Sequence, residues 1–229
     1  MREIAFDTET TGLNWARDDR IIELGAVEMI NHIPTGNTFR QLINPGRPVS
    51  EDTVRITGIT DDMLADKPTF DDPSIMQAFL DFVGDGILVA HNAKFDRGFL
   101  NAELARYGRD IIPEDRWVDT LEIAKKKFPG APANLDALCR RFDISLDERT
   151  YHGALLDSQL LAMVYLELLG GRARSFDFDT ASGRSSGAVI SQKARQRPKP
   201  LASRLTDEET AAHSAFVEKL GGDPLWKTA

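Results

Sequence analysis

The chain opens on a short apolar run that closes on two carboxylates one residue apart, Ile4-Ala5-Phe6-Asp7-Thr8-Glu9-Thr10-Thr11-Gly12. A strand sends alternate side chains to opposite faces, so Asp7 and Glu9 project side by side. Two ionised acids that close repel one another unless a cation joins them. The fold is therefore expected to begin with a core strand whose end forms a rim suited to a divalent metal.

The rest of the pattern says what surrounds that strand. Apolar runs at 3–8, 20–30 and 38–43 read as three successive strands, with Gly36-Asn37 as the turn between the second and third. Residues 74–83 carry helical periodicity, Ile87-Leu88-Val89-Ala90 is a short buried strand, and 94–107 is helical again. Trp117-Val118 forms a last strand, followed by helices at 119–127, 135–142 and 154–169. The order βββαβαβα predicts an α/β protein, with a mixed five-stranded sheet flanked by helices.

With 229 residues, 41% of them hydrophobic, the chain can build one large domain and an appendage. Its single cysteine, Cys139, has no disulfide partner and reads as a core residue. No apolar run approaches the ~20 residues of a membrane span, and Met1-Arg2-Glu3 leads directly into a strand without a signal-peptide pattern. A cytoplasmic protein is expected. The net charge of −8 is uneven: residues 172–204 hold eight Lys/Arg against two acids and 205–229 two against five, so the first 171 residues carry −11. Nucleic acid is usually gripped by basic surface. An acidic body is compatible with it if metal ions meet the phosphate.

Residues 1–171 are thus read as the folded domain. After Gly170-Gly171 the sequence turns to Arg, Ser, Gly, Lys and Pro, which predicts a disordered basic linker over 172–204. Thr206-Asp207-Glu208-Glu209 fits a capping box that opens a short helix ending at Gly221-Gly222, and Pro224-Leu225-Trp226 follows. A capped helix with a tryptophan at the end of a tether reads as a docking segment.

Two further acids repeat the motif of a charge heading an apolar stripe. Asp96 follows His91-Asn92-Ala93-Lys94-Phe95, with Phe99, Leu100 and Leu104 on its face; Asp157 heads Leu160, Leu161, Val164 and Leu168. Either alone could be an ordinary helix-start acid, and Asp7-x-Glu9 alone a solvated strand end. Together, all at element ends on apolar faces, they point to a metal site. Of the histidines, His32 in a polar turn and His213 in the tail read as surface residues, and His91 as a hydrogen-bonded structural one. His152 stands five residues before Asp157, and Gly153 between them gives the chain freedom to swing the imidazole over the metal. Histidine titrates near neutrality, which makes His152 the candidate general base.

In order and spacing, Asp7-Thr8-Glu9-Thr10-Thr11-Gly12, His91-Asn92-Ala93-Lys94-Phe95-Asp96 and His152-Gly153-Ala154-Leu155-Leu156-Asp157 resemble the three motifs of the DEDDh 3′–5′ exonucleases. The likeness extends to the proofreading epsilon subunits of bacterial DNA polymerase III, through Ile21-Ile22-Glu23-Leu24-Gly25, Lys67-Pro68-Thr69-Phe70, Leu135-Asp136-Ala137-Leu138-Cys139 and Leu225-Trp226. It implies a ribonuclease H-like fold and hydrolysis of the terminal phosphodiester of a DNA strand to nucleoside 5′-monophosphates. By this resemblance Asp7 bridges two Mg²⁺ or Mn²⁺ ions, Glu9 and Asp157 hold the first, Asp96 supports the second, and His152 is the base. Asp52 and Thr57 fall where the family contacts the terminal nucleotide, although some relatives have histidine where this chain has Thr57. The tail 205–226 resembles the segment that docks on the polymerase alpha subunit. The stretch 172–178 keeps phenylalanines but lacks the glutamine that opens a sliding-clamp peptide, so the clamp stays open as a partner. Two other readings stay open: a free-standing exonuclease that trims RNA or single-stranded DNA, and a non-catalytic assembly subunit.

Overall fold

The computed structural model describes residues 1–147, 151–171 and 206–219. The chain divides into two units, Met1–Phe178 and Asp179–Ala229. In the first unit, strands β1 (Arg2–Thr10), β2 (Ile21–Ile30), β3 (Ile33–Leu42), β4 (Ile87–Ala90) and β5 (Trp117–Asp119) form one sheet in the order β3-β2-β1-β4-β5. β1 pairs antiparallel with β2 and parallel with β4, and β4 pairs parallel with β5. This is the expected five-stranded mixed sheet, and β1 lies at its centre. Covered on both faces, β1 reads as a continuous apolar run through Ile4, Ala5 and Phe6, all fully buried.

Helices α3 (Pro73–Val83) and α4 (Ala93–Arg106) cover one face, where Phe79, Phe99 and Leu100 pack on Ile4 and Phe6. Helix α7 (Ala154–Leu168) covers the other, with Leu161 and Tyr165 against Ala5, Val27 and Val89. Helices α5 (Thr120–Lys127) and α6 (Leu135–Arg141) pack beside α7 through Ala124, Leu138 and the buried Cys139. The helix starts carry capping side chains: Asp72 before α3, Asp119 before α5 and Asn134 before α6 each accept a backbone N–H of the first turn.

Three features differ from the sequence expectation. The turn between β2 and β3 is at Asn31-His32, both with positive φ, and Gly36-Asn37 lies inside β3. A two-residue turn with both residues left-handed matches the twist of a hairpin, and asparagine tolerates that conformation well. His32 is consequently no plain surface residue: its Nδ1 lies 2.8 Å from an oxygen of the fully buried Glu3, which also accepts from the Tyr165 hydroxyl. Finally, two short helices, α1 (Glu51–Thr57) and α2 (Asp61–Leu64), follow β3. Both are too short and too polar to show a helical period, yet both have N-caps, Ser50 and Thr60.

Gly25 is where sheet and helix meet most closely. A Cβ on Gly25 would overlap the Ala154 carbonyl group, so β2 approaches the start of α7 at a distance only glycine allows. Gly153 makes no such demand. Its φ of −155° is ordinary extended backbone, and a Cβ there would meet nothing nearer than 3.9 Å.

In the second unit, α8 (Asp207–Lys219) begins with the predicted reciprocal box: the Thr206 N–H donates to Glu209 and the Glu209 N–H donates to the Thr206 hydroxyl. The predicted linker 172–204, the 172–178 peptide, Gly221-Gly222 and Leu225-Trp226 lie outside the described residues. Among the described residues no helix is long and apolar enough to cross a membrane.

Candidate active site

The end of β1 sets the site. Asp7 and Glu9 are half-buried, while Thr8 and Thr10 between and beyond them are buried, as strand alternation requires. Glu9 stands directly opposite Glu23 of β2. Side by side, two such acids would be costly; Glu23 is compensated by the Arg40 guanidinium at 2.6 Å and by the backbone N–H of Ala154 at 2.9 Å. Glu23 therefore ties β2 to the first turn of α7, and this positions Asp157.

Asp157 is 4% exposed in that first turn. His152 reaches it from the preceding segment, Nδ1 lying 3.2 Å from a carboxylate oxygen. The backbone N–H of His152 donates to the Ile56 carbonyl of α1 at 3.1 Å, so a helix not foreseen from sequence holds the histidine in place. Glu9, His152 and Asp157 each offer a ligand atom, and these atoms lie within 4.8 Å of one another. Two carboxylates with an imidazole suit a divalent cation, so the residues present fit the metal that the motifs imply.

Asp96 is placed differently. It is 2% exposed at the start of α4, and the Thr8 hydroxyl donates to it at 2.8 Å from the face of β1 opposite Asp7 and Glu9. Burial pushes its carboxyl up to about 7, against the pull of the Thr8 hydrogen bond, and Asp119 nearby adds like-charge repulsion. Asp119 accepts the backbone N–H groups of Asn92, Ala93 and Leu121, and so fixes the left-handed turn at Asn92 that launches α4. His91, as expected, is structural: Nδ1 meets the Thr120 hydroxyl at 2.9 Å, and burial lowers its pKa.

A recess of about 450 Å³ opens beside Glu9, lined by Leu13, Asp52, Ile56 and Phe95 among others. Asp52 is exposed on its rim and pairs with Arg55. Thr57 also lines it, but its hydroxyl donates to the Thr53 carbonyl and accepts from Ile59 N–H, within and just after α1. The supports of the site, Thr8, Glu23, Asp119 and the backbone of α1, were not singled out from sequence. Thr8 has a signal there, since it alternates with the two acids.

Comparison with known proteins accords with this arrangement. Residues 4–165 match the sequence model of the Exonuclease family. The nuclease domain of 3′hExo, a DEDDh family member bound to rAMP, shares the fold, with a TM-score of 0.62 at 22% identity over 73% of this chain and 91% of that one. Exonuclease X in complex with 5′ overhanging duplex DNA gives a TM-score of 0.54 at 27% identity, over 73% and 90%. A mixed ribonuclease H-like sheet that ends in an acid and histidine cluster thus defines an exonuclease. Nearly the whole chain can be assigned more narrowly. It is 42% identical to DNA polymerase III subunit epsilon of Escherichia coli K12, over 99% of this chain and 97% of that protein. With the Rickettsia felis subunit it shares 41%, over 96% and 97%. The chain belongs to the family of DNA polymerase III epsilon subunits.

Proposed function

We propose that this protein is the proofreading 3′–5′ exonuclease of a replicative DNA polymerase, removing mismatched nucleotides from the 3′ end of a nascent strand. The observation that carries the reading is the convergence of Glu9, His152 and Asp157 within 4.8 Å at the end of β1. Asp7, Glu9, Asp157 and Asp96 would hold two divalent cations, Mg²⁺ or Mn²⁺. When bound, such cations supply the charge that stabilises both attacking and leaving oxygens of an in-line displacement at phosphorus.

The chain's own residues do the rest. His152, its side chain half exposed and fastened through its backbone to Ile56, takes the proton of the attacking water. The apolar side chains of Leu13, Ile56 and Phe95 receive the terminal base, and Asp52 on the rim accepts a hydrogen bond from the free 3′-hydroxyl. A mispaired terminus melts at lower cost than a paired one, so preference for mismatches needs no sequence readout. We assign the nuclease to residues 1–171, a linker to 172–204 and the alpha-subunit-binding tail to 205–229. Such a tether raises the local concentration of the nuclease at the primer end. The cytoplasm, where the polymerase works, is the assigned compartment.

The test is digestion of matched and mismatched 3′-labelled primers, and an RNA primer of the same sequence, with Mg²⁺ or with EDTA. Expected are metal-dependent DNA loss, faster at the mismatch, and a fall of about 10²–10³-fold or more in Asp7→Ala. Faster RNA loss would favour a trimming enzyme, and activity retained in Asp7→Ala would overturn the metal assignment.

A further inference from the structure

His152 lines a second recess, next to the one beside Glu9. This second recess, about 410 Å³, is lined by Arg55, Ile56, Asp136, Arg140, Leu146, Tyr151 and His152. Arg55 and Ile56 line both. An exonuclease that works from a 3′ end must part the strand at this point, with the terminal nucleoside on one side and the remaining polynucleotide on the other.

The two sides have different chemistry. The terminal nucleoside carries a single phosphate, the one under attack, and otherwise a base, a sugar and a free hydroxyl. Its recess needs apolar surface and a hydrogen-bond acceptor, and the first recess presents Leu13, Phe95 and Asp52. The strand brings another phosphate with every nucleotide, a charge that cationic side chains meet most strongly. The second recess presents two guanidiniums against one carboxylate, Asp136, in a region of the chain whose net charge is −11.

We infer that the second recess, through Arg55 and Arg140, binds the phosphates of the strand behind the scissile bond, with the ring of Tyr151 as a stacking platform for a base. The inference rests on the exonuclease reading and assigns this site's second half. Arg140 meets Asp136 at only 4.0 Å, and both side chains are well exposed; Arg55 and Asp52 are exposed as well. Exposed pairs of this kind are weak, so phosphate oxygens can replace the carboxylates as partners. Tyr151 is 56% exposed, and one side of its ring lies over Gly58, which leaves the ring supported rather than free.

The full chain is tested with fluorescein-labelled dT8, with Ca²⁺ replacing Mg²⁺ so that the acids are neutralised while binding is read by anisotropy. Arg140→Gln should weaken binding about tenfold, and Arg55→Gln with Arg140→Gln further. The slope of log affinity against log salt should flatten by about 0.7 per lost phosphate contact. Lys126→Gln, an equal loss of charge at an exposed position lining neither recess, should match the wild type. Hydrolysis of the p-nitrophenyl ester of thymidine 5′-monophosphate, which has no strand behind the scissile bond, should be unchanged in Arg140→Gln. Equal dT8 affinity and salt slope in wild type and variants, or no dT8 binding by the wild type, would overturn the assignment. Failure of the wild type to hydrolyse any substrate with Mg²⁺ would sink the exonuclease reading instead, while the binding result would stand.

Discussion

Asp96 shows how a single side chain can work against the fold that holds it. Its carboxyl is buried and pushed up to about 7, whereas an unfolded aspartate titrates near ~3.9. Below that lower value both states carry the proton. As pH rises, the unfolded chain releases it first and the folded chain keeps it, so folded stability is lost progressively until the pH passes the folded value. Metal-free protein is therefore expected to melt at higher temperature at pH 5 than at pH 8. Asp96→Asn, which cannot ionise, should be stabilised over the wild type at pH 8 by roughly 2 kcal/mol, with the difference shrinking at pH 5. Thermal melts in EDTA at the two pH values check this; a variant less stable than the wild type at pH 8 would contradict it. Under the proposed function, bound cations would offset this cost.

At the scale of elements, β2 and the start of α7 act as one piece. Gly25 lets them touch, and Glu23 joins them through the Ala154 N–H while held by Arg40. Glu23→Ala would leave a buried donor at the start of α7 and let Asp157 shift against Glu9. The expected result is a loss of roughly 2–3 kcal/mol in urea unfolding, together with at least about a tenfold fall in kcat/KM. Glu23→Gln keeps an acceptor for Ala154 and should lose less of both. Gly25→Ala should be worse than either, by about 3 kcal/mol or more, because backbone rather than a movable side chain occupies the space. Gly153→Ala provides the contrast, since its Cβ has room; a large effect there would mean that glycine's freedom matters to His152 after all.

For the whole molecule, the division into two units predicts that catalysis and tethering are separable. A chain ending at residue 171 is expected to keep the primer-digesting activity of the full protein within about threefold and to lose co-elution with the polymerase alpha subunit on gel filtration. Loss of nuclease activity in that truncation would argue that the tail contributes to the site. The capping box of Thr206 and Glu209 gives α8 a defined start of its own, as a segment that docks independently requires.

Much of this protein was legible in its linear order. The five strands, the sheet's mixed character and the positions of Asp7, Glu9, Asp96, His152 and Asp157 could be read because hydrophobic period and element ends are local properties. The hairpin turn was misplaced at Gly36-Asn37 because a left-handed Asn31-His32 pair is a weaker signal than glycine. Other features had no local signal at all. Glu23 meets Ala154 across 131 positions, Arg20 and Glu103 pair across 83, and Arg55 and Arg140 share a recess only after folding. The sequence alone determined which acids and which histidine are the candidates for a metal site and a general base, since residue type and spacing set that chemistry. Which of them converge, what holds them and where a strand could run were decided by tertiary structure, because those depend on long-range packing that no local pattern records.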